Sequence, residues 1–272
     1  MAGGRRFNFS AAIVLGGAGL PAPIVIVGTI AAGALLGAAW GFIPGFLKVR
    51  AGSSEVITTI MLNYIAGLFI FFLLSNWTLI QREDGTQPIS KALADYIVIP
   101  GILPIPELRL HLGFIVALVA AGVVSWFLFR TTRGFELRAA GLNVDAARYA
   151  GMGASSSIMA AMAISGALAG MGGAFEVTGT IKQFSTVVSG GVGFTAIAIA
   201  LVGGTRPSGV VVTALVFGAL RNGGGLMGLE TSIPIDLLFF IQALVIMFIA
   251  APNLTARIIR MPFRRQTKGA PS

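Results

Sequence analysis

The chain has 272 residues, of which 56% are hydrophobic and only 11% are charged. Soluble globular domains carry about 25% charged residues, so this composition excludes a water-soluble fold and indicates a polytopic membrane protein. The absence of cysteine excludes disulfides, thiol chemistry and cysteine-bound metals. The net charge is +9, but the basic residues lie at the ends of apolar runs. Membrane topology explains that placement better than a nucleic-acid partner does.

Seven apolar runs approach the length of about 20 residues that an α-helix needs to cross the hydrocarbon core. We therefore predict an all-α, polytopic membrane helical bundle that forms one transmembrane domain over residues 1–272. The predicted transmembrane segments are residues 22–46, 56–75, 111–129, 155–175, 190–204, 208–226 and 234–251. The fifth is short, and apolar segments of that length are often re-entrant or broken.

The distribution of basic residues predicts the orientation, because lysine and arginine concentrate on the cytoplasmic side. The tail at 252–272 and the loop at about 130–154 are both rich in arginine, so we place both in the cytoplasm. An even number of crossings must then separate them, and this requires the short fifth segment to cross. The loop at about 76–110 falls outside the cell, and the protein is expected in the inner (plasma) membrane.

The same counting places Arg5 and Arg6 outside, against the rule that basic residues face the cytoplasm. The residues that follow, FNFSAAIVLGG, lack the cleavage-site pattern of a signal peptide. Either further helices precede this chain, or two arginines are too few to determine the orientation. Both interpretations stay open at the level of sequence.

Catalytic motifs are absent from the sequence. It contains no Gly-Lys-Ser/Thr of a Walker A motif, no His-Glu-x-x-His and no Gly-x-Ser-x-Gly, and His111 is its only histidine. The apolar runs hold almost no charged residue of the kind that a proton-coupled carrier or membrane enzyme uses. We therefore expect neither an enzyme nor a metal site nor a bound cofactor, and energy for any transport would come from a partner.

A short polar segment, GLNVDAARYAGM at residues 141–152, lies between two long apolar runs. Asn143 is suited to cap a short helix that starts at Val144. Apolar residues can share one face at helical spacing, and these are Leu137, Ala140, Leu142 and Ala146. Such a helix lies along the membrane surface or in a groove of a soluble partner, and a plain surface loop is the simpler alternative.

Three polar side chains inside apolar runs are candidates for lining a solute path: Asn63, Tyr64 and Thr195. Asn and Thr also form hydrogen bonds between membrane helices for packing alone, so that alternative remains. Small residues recur every fourth position in two runs, which predicts close helix packing there. These residues are Gly33, Gly37 and Gly41 in the first run and Ser165, Ala169 and Gly173 in the fourth.

Residues 145–151, Asp-Ala-Ala-Arg-Tyr-Ala-Gly, are similar to the Glu-Ala-Ala-x-x-x-Gly signature of ABC importer permeases, with aspartate in place of glutamate. EVITTIMLNYIAGLF at 55–69 resembles a signature of nucleoside and simple-sugar permeases. The stretches at 34–50 and 190–224 resemble the ribose, branched-chain amino acid and nucleoside branch of the same family. FNFSA at 7–11 resembles only the start of a motif that further helices usually precede. The resemblance extends over nearly the whole chain.

The resemblance implies the permease subunit of an ATP-driven importer for a nucleoside or simple sugar. It implies three protein partners: an external solute-binding protein, a second permease subunit, identical or different, and a cytoplasmic ABC ATPase that binds the ATP. The residues that would couple to the ATPase are Gly134, Gly141, Leu142, Asn143, Asp145, Ala146, Ala147 and Gly151. An ATP-independent channel or secondary carrier is the alternative that the glycine-rich, short fifth segment also suits.

Overall fold

A computed structural model describes residues 21–76, 89–90, 93, 99, 111–184, 191–231, 237 and 240–244. The amino-terminal motif at 7–11, the tail at 252–272 and most of the loop at 76–110 lie outside these residues. So does most of the seventh predicted segment. The described contacts group into two units, Met1–Gly191 and Val192–Ser272, and each is described by itself. The single-domain division of the chain stays a prediction.

The described residues form α-helices and contain no extended β-strand, as predicted. Eight α-helices have their bounds within the described residues, and six of them correspond to predicted apolar runs. They are α1 (Ala22–Ala51), α2 (Glu55–Asn76), α3 (Leu112–Arg130), α4 (Thr132–Leu142), α5 (Val144–Tyr149), α6 (Ala154–Phe175, continued by a π-helical turn Glu176–Ile181), α7 (Val192–Val202) and α8 (Pro207–Thr231).

Four of the described helices are long and apolar enough to cross a membrane: α1, α2, α3 and α6 with its π turn. The short α7 is different. At about 1.5 Å per residue, its 11 residues extend for roughly 17 Å, which is less than the ~30 Å hydrocarbon core. The protein is therefore a helical membrane protein, whereas the count of seven crossings remains a prediction.

The centre of the first unit is an antiparallel pair, α1 and α6, whose backbones touch. A Cβ added to Gly41 would lie 2.5 Å from the Met162 carbonyl oxygen and 3.0 Å from the Gly166 Cα. Gly37 opposes Gly166 and Gly170 in the same way. The predicted stripe on α1 is confirmed. On α6 the closest approach is at Gly166 and Gly170, one position beyond the predicted Ser165 and Ala169, because the partner helix selects the face.

The end of α6 away from the polar segment is closed by a small core. Its buried residues are Val25, Ala66, Ile70, Leu74, Leu93, Val177 and Phe184. Short pieces of the 76–110 loop are hydrogen-bonded across this end: Ser90 N–H donates to the Phe184 carbonyl (2.9 Å), and Leu93 N–H donates to the Lys182 carbonyl (2.8 Å). The buried Ser90 hydroxyl accepts from Phe184 N–H at 2.8 Å. Residues about 90 positions apart are thereby held together.

The second unit is built on a hairpin of α7 and α8 joined by a tight turn. Gly204 and Thr205 both adopt left-handed backbone conformations, with φ of 65° and 57°. Gly203 and Gly209 approach so closely that a Cβ on Gly203 would lie 2.6 Å from the Val210 nitrogen. Glycine is therefore required at this corner, because any side chain would force the two helices apart.

Candidate functional site

The helix α4, which leads into the polar segment, begins at a sharp corner with α3. Thr131 forms this corner: its hydroxyl donates to the Phe127 carbonyl at 2.6 Å and accepts from Gly134 N–H at 3.0 Å. Gly134 is buried, and a Cβ there would lie 2.7 Å from the Leu128 Cα. Gly134 is thus a packing position that lets α4 fold back on α3, and its role in coupling stays a prediction.

Asn143 ends α4 and begins α5. Its backbone is extended, with φ of −155°, so the helix cannot continue through it. The Asn143 Oδ1 accepts hydrogen bonds from the backbone N–H groups of Asp145 and Ala146, both at 3.0 Å. This N-cap satisfies two amides that the first helical turn otherwise leaves without acceptors. The predicted cap at Asn143 and the predicted helix start at Val144 are both confirmed.

The prediction that Leu142 and Ala146 share one apolar face with Leu137 and Ala140 is wrong, because the break at Asn143 changes the helical phase between α4 and α5. Leu142 is 90% exposed, and Ala146 is also exposed. The buried residue of α5 is instead Ala147, at 3% exposure. A small core supports the segment from beneath, and its members are Ala140, Ala147 and Ala154, with Val144 and Met152 against them.

Two large side chains at the ends of α4 and α5 are almost fully exposed, Leu142 at 90% and Tyr149 at 94%. Between them in the sequence, Asp145 and Arg148 form an exposed ion pair at 4.0 Å. Exposed apolar side chains on a rigid, capped element are typical of a docking surface. Tyr149 was not among the residues predicted from the sequence, although a bulky aromatic within an otherwise small and polar helix was the available signal.

Glycines at both ends of this surface are open to solvent. A Cβ on Gly141 would meet no atom within 4 Å, so its surroundings leave room for a partner. Gly151 has a φ of 77°, the left-handed region that side chains disfavour. Its turn lets Met152 N–H donate to the Ala147 carbonyl at 2.9 Å and so returns the chain to α6. The two glycines thus have different roles: open space at Gly141 and backbone conformation at Gly151.

The three candidate path residues differ in position. Asn63 shares a helix face with Ala66, Ile70 and Leu74, the buried positions of α2, because they follow at spacings of three, four and four. Tyr64 is exposed and turned away from that face by about 100°. Thr195 lies on α7, in the second unit, and is half-buried. Only Asn63 continues a packed face.

The single histidine has a structural position in this fold. His111 caps α3, with its Nδ1 accepting from Gly113 N–H at 3.1 Å. Its ring stacks on Phe175 and its Nε2 lies 3.4 Å from the Thr180 hydroxyl. Within the described ranges, no group of three or more His, Asp or Glu side chains is placed to hold a metal ion.

The sequence of the chain is similar to those of known transport proteins. A family model described as "Branched-chain amino acid transport system / permease component" matches residues 2–250. The chain is 43% identical, over 84% of its length, to the guanosine ABC transporter permease protein NupP of Bacillus subtilis. It is 37% identical, over 85%, to the nucleoside ABC transporter permease protein NupB of Lactococcus lactis. It is 33% identical, over 93%, to the glucose ABC transporter permease protein TsgB13 of Haloferax volcanii.

The chain is shorter than these relatives. The alignments cover 64% of NupP, 65% of NupB and 68% of TsgB13, so the chain spans about two thirds of the length of the curated relatives it matches. No solved structure matches it.

Proposed function

This chain belongs to the family of branched-chain amino acid transport system permease components, and on that basis we propose that it is the membrane-spanning permease subunit of an ATP-driven importer. As a permease component it is not itself an enzyme. The proposed solute is a nucleoside, with a simple sugar second. The names of the relatives support this order, since NupP and NupB are more similar to this chain than TsgB13 is.

The exposed surface of α5 is proposed to dock on a cytoplasmic ABC ATPase, which binds the ATP. The observation that carries this proposal is the exposure of Leu142 and Tyr149 on a short helix that Asn143 caps and a buried alanine core supports. Tyrosine is among the residue types that dominate protein interfaces. Asp145, Ala146 and Gly141 complete the outward side and are proposed to lie in the same contact.

The segment is also suited to transmit force. Ala154, the first residue of α6, belongs to the alanine core under α5, so a push on α5 reaches α6 directly. From there the glycine contact joins α6 to α1 along its length. We propose that ATP-driven movement of the docked segment shifts this helix pair as one body, which is how alternating access proceeds by rigid-body motion. An external solute-binding protein and a second permease subunit, identical or different, complete the proposed assembly.

Truncation of the exposed side chains tests the docking proposal. The double variant Leu142→Ala/Tyr149→Ala should still fold, because both side chains are almost wholly outside the packed core. We expect at least a tenfold loss of ATPase binding and of ATP-dependent solute uptake, since a contact that dominates an interface is worth about 2 kcal/mol or more. Leu68→Ala on α2 is the matched control, because Leu68 is also exposed, at 71%, but lies on a membrane-length helix.

Two outcomes would contradict parts of this proposal. The first, unchanged ATPase binding by the double variant, would refute docking through Leu142 and Tyr149. The second is solute uptake by vesicles that contain the permease but no ATPase and no nucleotide, which would favour a channel or secondary carrier.

The proposed orientation has the loop at 130–154 and the tail at 252–272 in the cytoplasm, the loop at 76–110 outside, and the chain in the inner membrane. Its support is the arginine content of the two cytoplasmic segments. Because the chain lacks cysteine, a single introduced cysteine shows on which side of the membrane its position lies. An impermeant maleimide should label Lys182→Cys in intact cells and Arg148→Cys only after permeabilisation. Labelling of Arg148→Cys in intact cells would show that the orientation is the reverse of the one proposed.

Asn63 is proposed to contact the solute, because it continues the packed face of α2 yet is exposed within this chain. Tyr64 and Thr195 are secondary candidates. We expect Asn63→Ala to raise the KM for the solute by about tenfold, the loss of one polar contact of ~1.5 kcal/mol, without lowering protein abundance. Asn76→Ala is the control, because Asn76 bonds its own helix, at the Phe72 carbonyl. An unchanged KM and an unchanged solute preference would assign Asn63 to packing.

A further inference from the structure

The helix α4 exposes an apolar face that its own fold leaves open. Its buried positions, Gly134 and Ala140, face α3 and α6, whereas Phe135 is 54% exposed. Arg138 follows Phe135 by three residues and therefore lies beside it on the helix surface. The exposed side of the first two turns of α4 thus combines an aromatic ring and a cation. Leu142 lies about 10 Å further along the axis, at the docking end of the segment.

Arg138 is fixed in place by a second aromatic ring. Its guanidinium carbon lies 4.8 Å from the centre of the Phe129 ring, in the geometry of a cation–π contact. Two nearby arginines are paired with carboxylates: Arg133 with Glu136 at 3.7 Å and Arg148 with Asp145 at 4.0 Å. Arg138 has no such carboxylate within the part of the chain that is described. Its charge is therefore available to an anion from outside the chain.

The position of Phe129 relates this cation to the membrane. Phe129 lies in the last turn of α3, and Trp126 and Val119 lie on the same exposed side of that helix. The helix has membrane length and is the least buried of the four such helices. Phe129 and Phe135 lie on either side of the Thr131 corner that joins α3 to α4, and both are exposed. Aromatic rings that follow a lipid-facing helix to its end lie at the level of the lipid headgroups.

We propose that Phe129, Phe135 and Arg138 form a binding site for the headgroup of an anionic phospholipid. The planar guanidinium, already oriented by the Phe129 ring, binds the phosphodiester oxygens, and the two rings pack against the upper acyl chain. A lipid fits this surface better than the ATPase does, because the surface continues the lipid-facing side of α3. The bound lipid would hold α4 flat on the membrane. This site is independent of the solute and of the docking surface on α5.

Trp126 is a built-in reporter for the test, since it is one turn from Phe129. The full chain, with Trp40 and Trp77 replaced by phenylalanine, is placed in nanodiscs of mixed phosphatidylcholine and phosphatidylglycerol. Two preparations are compared, one with brominated phosphatidylcholine and one with brominated phosphatidylglycerol. Because bromine quenches tryptophan fluorescence, the fluorescence of Trp126 in each preparation shows which lipid lies beside it. We expect about fivefold enrichment of phosphatidylglycerol beside Trp126, because one basic residue at an anionic surface contributes ~1 kcal/mol of binding free energy.

Arg138→Gln should reduce this enrichment to about one. It should lower the melting temperature only slightly, because Arg138 is exposed and loses only its contact with the Phe129 ring. Arg133→Gln is the matched control and should retain the enrichment, since Arg133 is already paired with Glu136. The proposed lipid site would be overturned if phosphatidylglycerol were not enriched beside the parent chain, or if both variants lost the enrichment equally. An Arg138→Gln variant that keeps the lipid preference but loses the ATPase would assign this surface to the protein partner instead.

Discussion

Replacing Gly41 by alanine should destabilise the protein, because the α1–α6 contact has no room for a methyl group. The new Cβ would lie 2.5 Å from the Met162 carbonyl oxygen and 3.0 Å from the Gly166 Cα. Ordinary van der Waals contacts of a Cβ begin at 3.4 Å, so the helices must separate by about 1 Å. The atoms that obstruct it are backbone, and no side-chain rotation can move them aside.

The expected cost is about 1–3 kcal/mol, the range for overpacking a well-packed interior. A protein of this size loses roughly 2–4 °C in Tm per kcal/mol, so the melting temperature should fall by about 2–12 °C. Gly122→Ala on α3 is the matched control, because a Cβ there would meet no atom within 4 Å. Alanine at Gly122 should be neutral or slightly stabilising, since glycine costs a helix about 0.5–1 kcal/mol relative to alanine.

Thermal unfolding in mild detergent, followed by size-exclusion chromatography of the surviving monodisperse fraction, measures both variants against the parent. A Gly41→Ala variant as stable as Gly122→Ala would refute the close α1–α6 contact. A fall in Tm for both variants would mean that glycine is needed for backbone conformation at both positions, and the steric reasoning would fail.

Three further substitutions test other features. Asn143→Ala removes the cap of α5 at a cost of about 0.5–2 kcal/mol, which faster amide hydrogen exchange in α5 should report. Gly151→Ala places a side chain in left-handed backbone at a cost of about 1–2 kcal/mol, and the turn should become more sensitive to protease. Ser90→Ala removes a buried hydrogen bond to Phe184 and should lower Tm by a few degrees, for about 1–3 kcal/mol. A variant that matches the parent in its own assay contradicts the feature concerned.

Features determined by local sequence could be predicted. Long apolar runs require helices in a membrane, because every backbone amide needs a partner there, and the described helices start and end within a few residues of the predicted runs. The cap at Asn143 was also predictable, since an asparagine side chain bonds amides only two and three positions ahead. The first glycine stripe belongs to this group, because three glycines on one face leave little choice of contact side.

Features determined by distant partners could not be predicted in this way. Small residues surround α6 on several sides, and only the position of α1 selects Gly166 over Ser165. Ala147 and Ala146 are chemically identical, and the extended conformation of Asn143 decides which one is buried. The π turn at the end of α6 was also not anticipated, and bonds to Leu93 and Ser90 from far along the chain accompany it there. Periodicity within one element carries no information about such partners.

The glycine contact between α1 and α6 has a consequence for biosynthesis. Gly37 and its partner Gly166 are separated by roughly 130 positions, so at ~5–20 residues per second the ribosome needs about 6–26 seconds to deliver the second after the first. During that interval the glycine stripe of the newly inserted α1 has no α6 to pack against and is exposed to acyl chains or to the translocation machinery. A membrane chaperone that shields small-residue grooves would act on this protein in that interval, and its depletion should lower the yield of folded permease before any effect on the finished molecule.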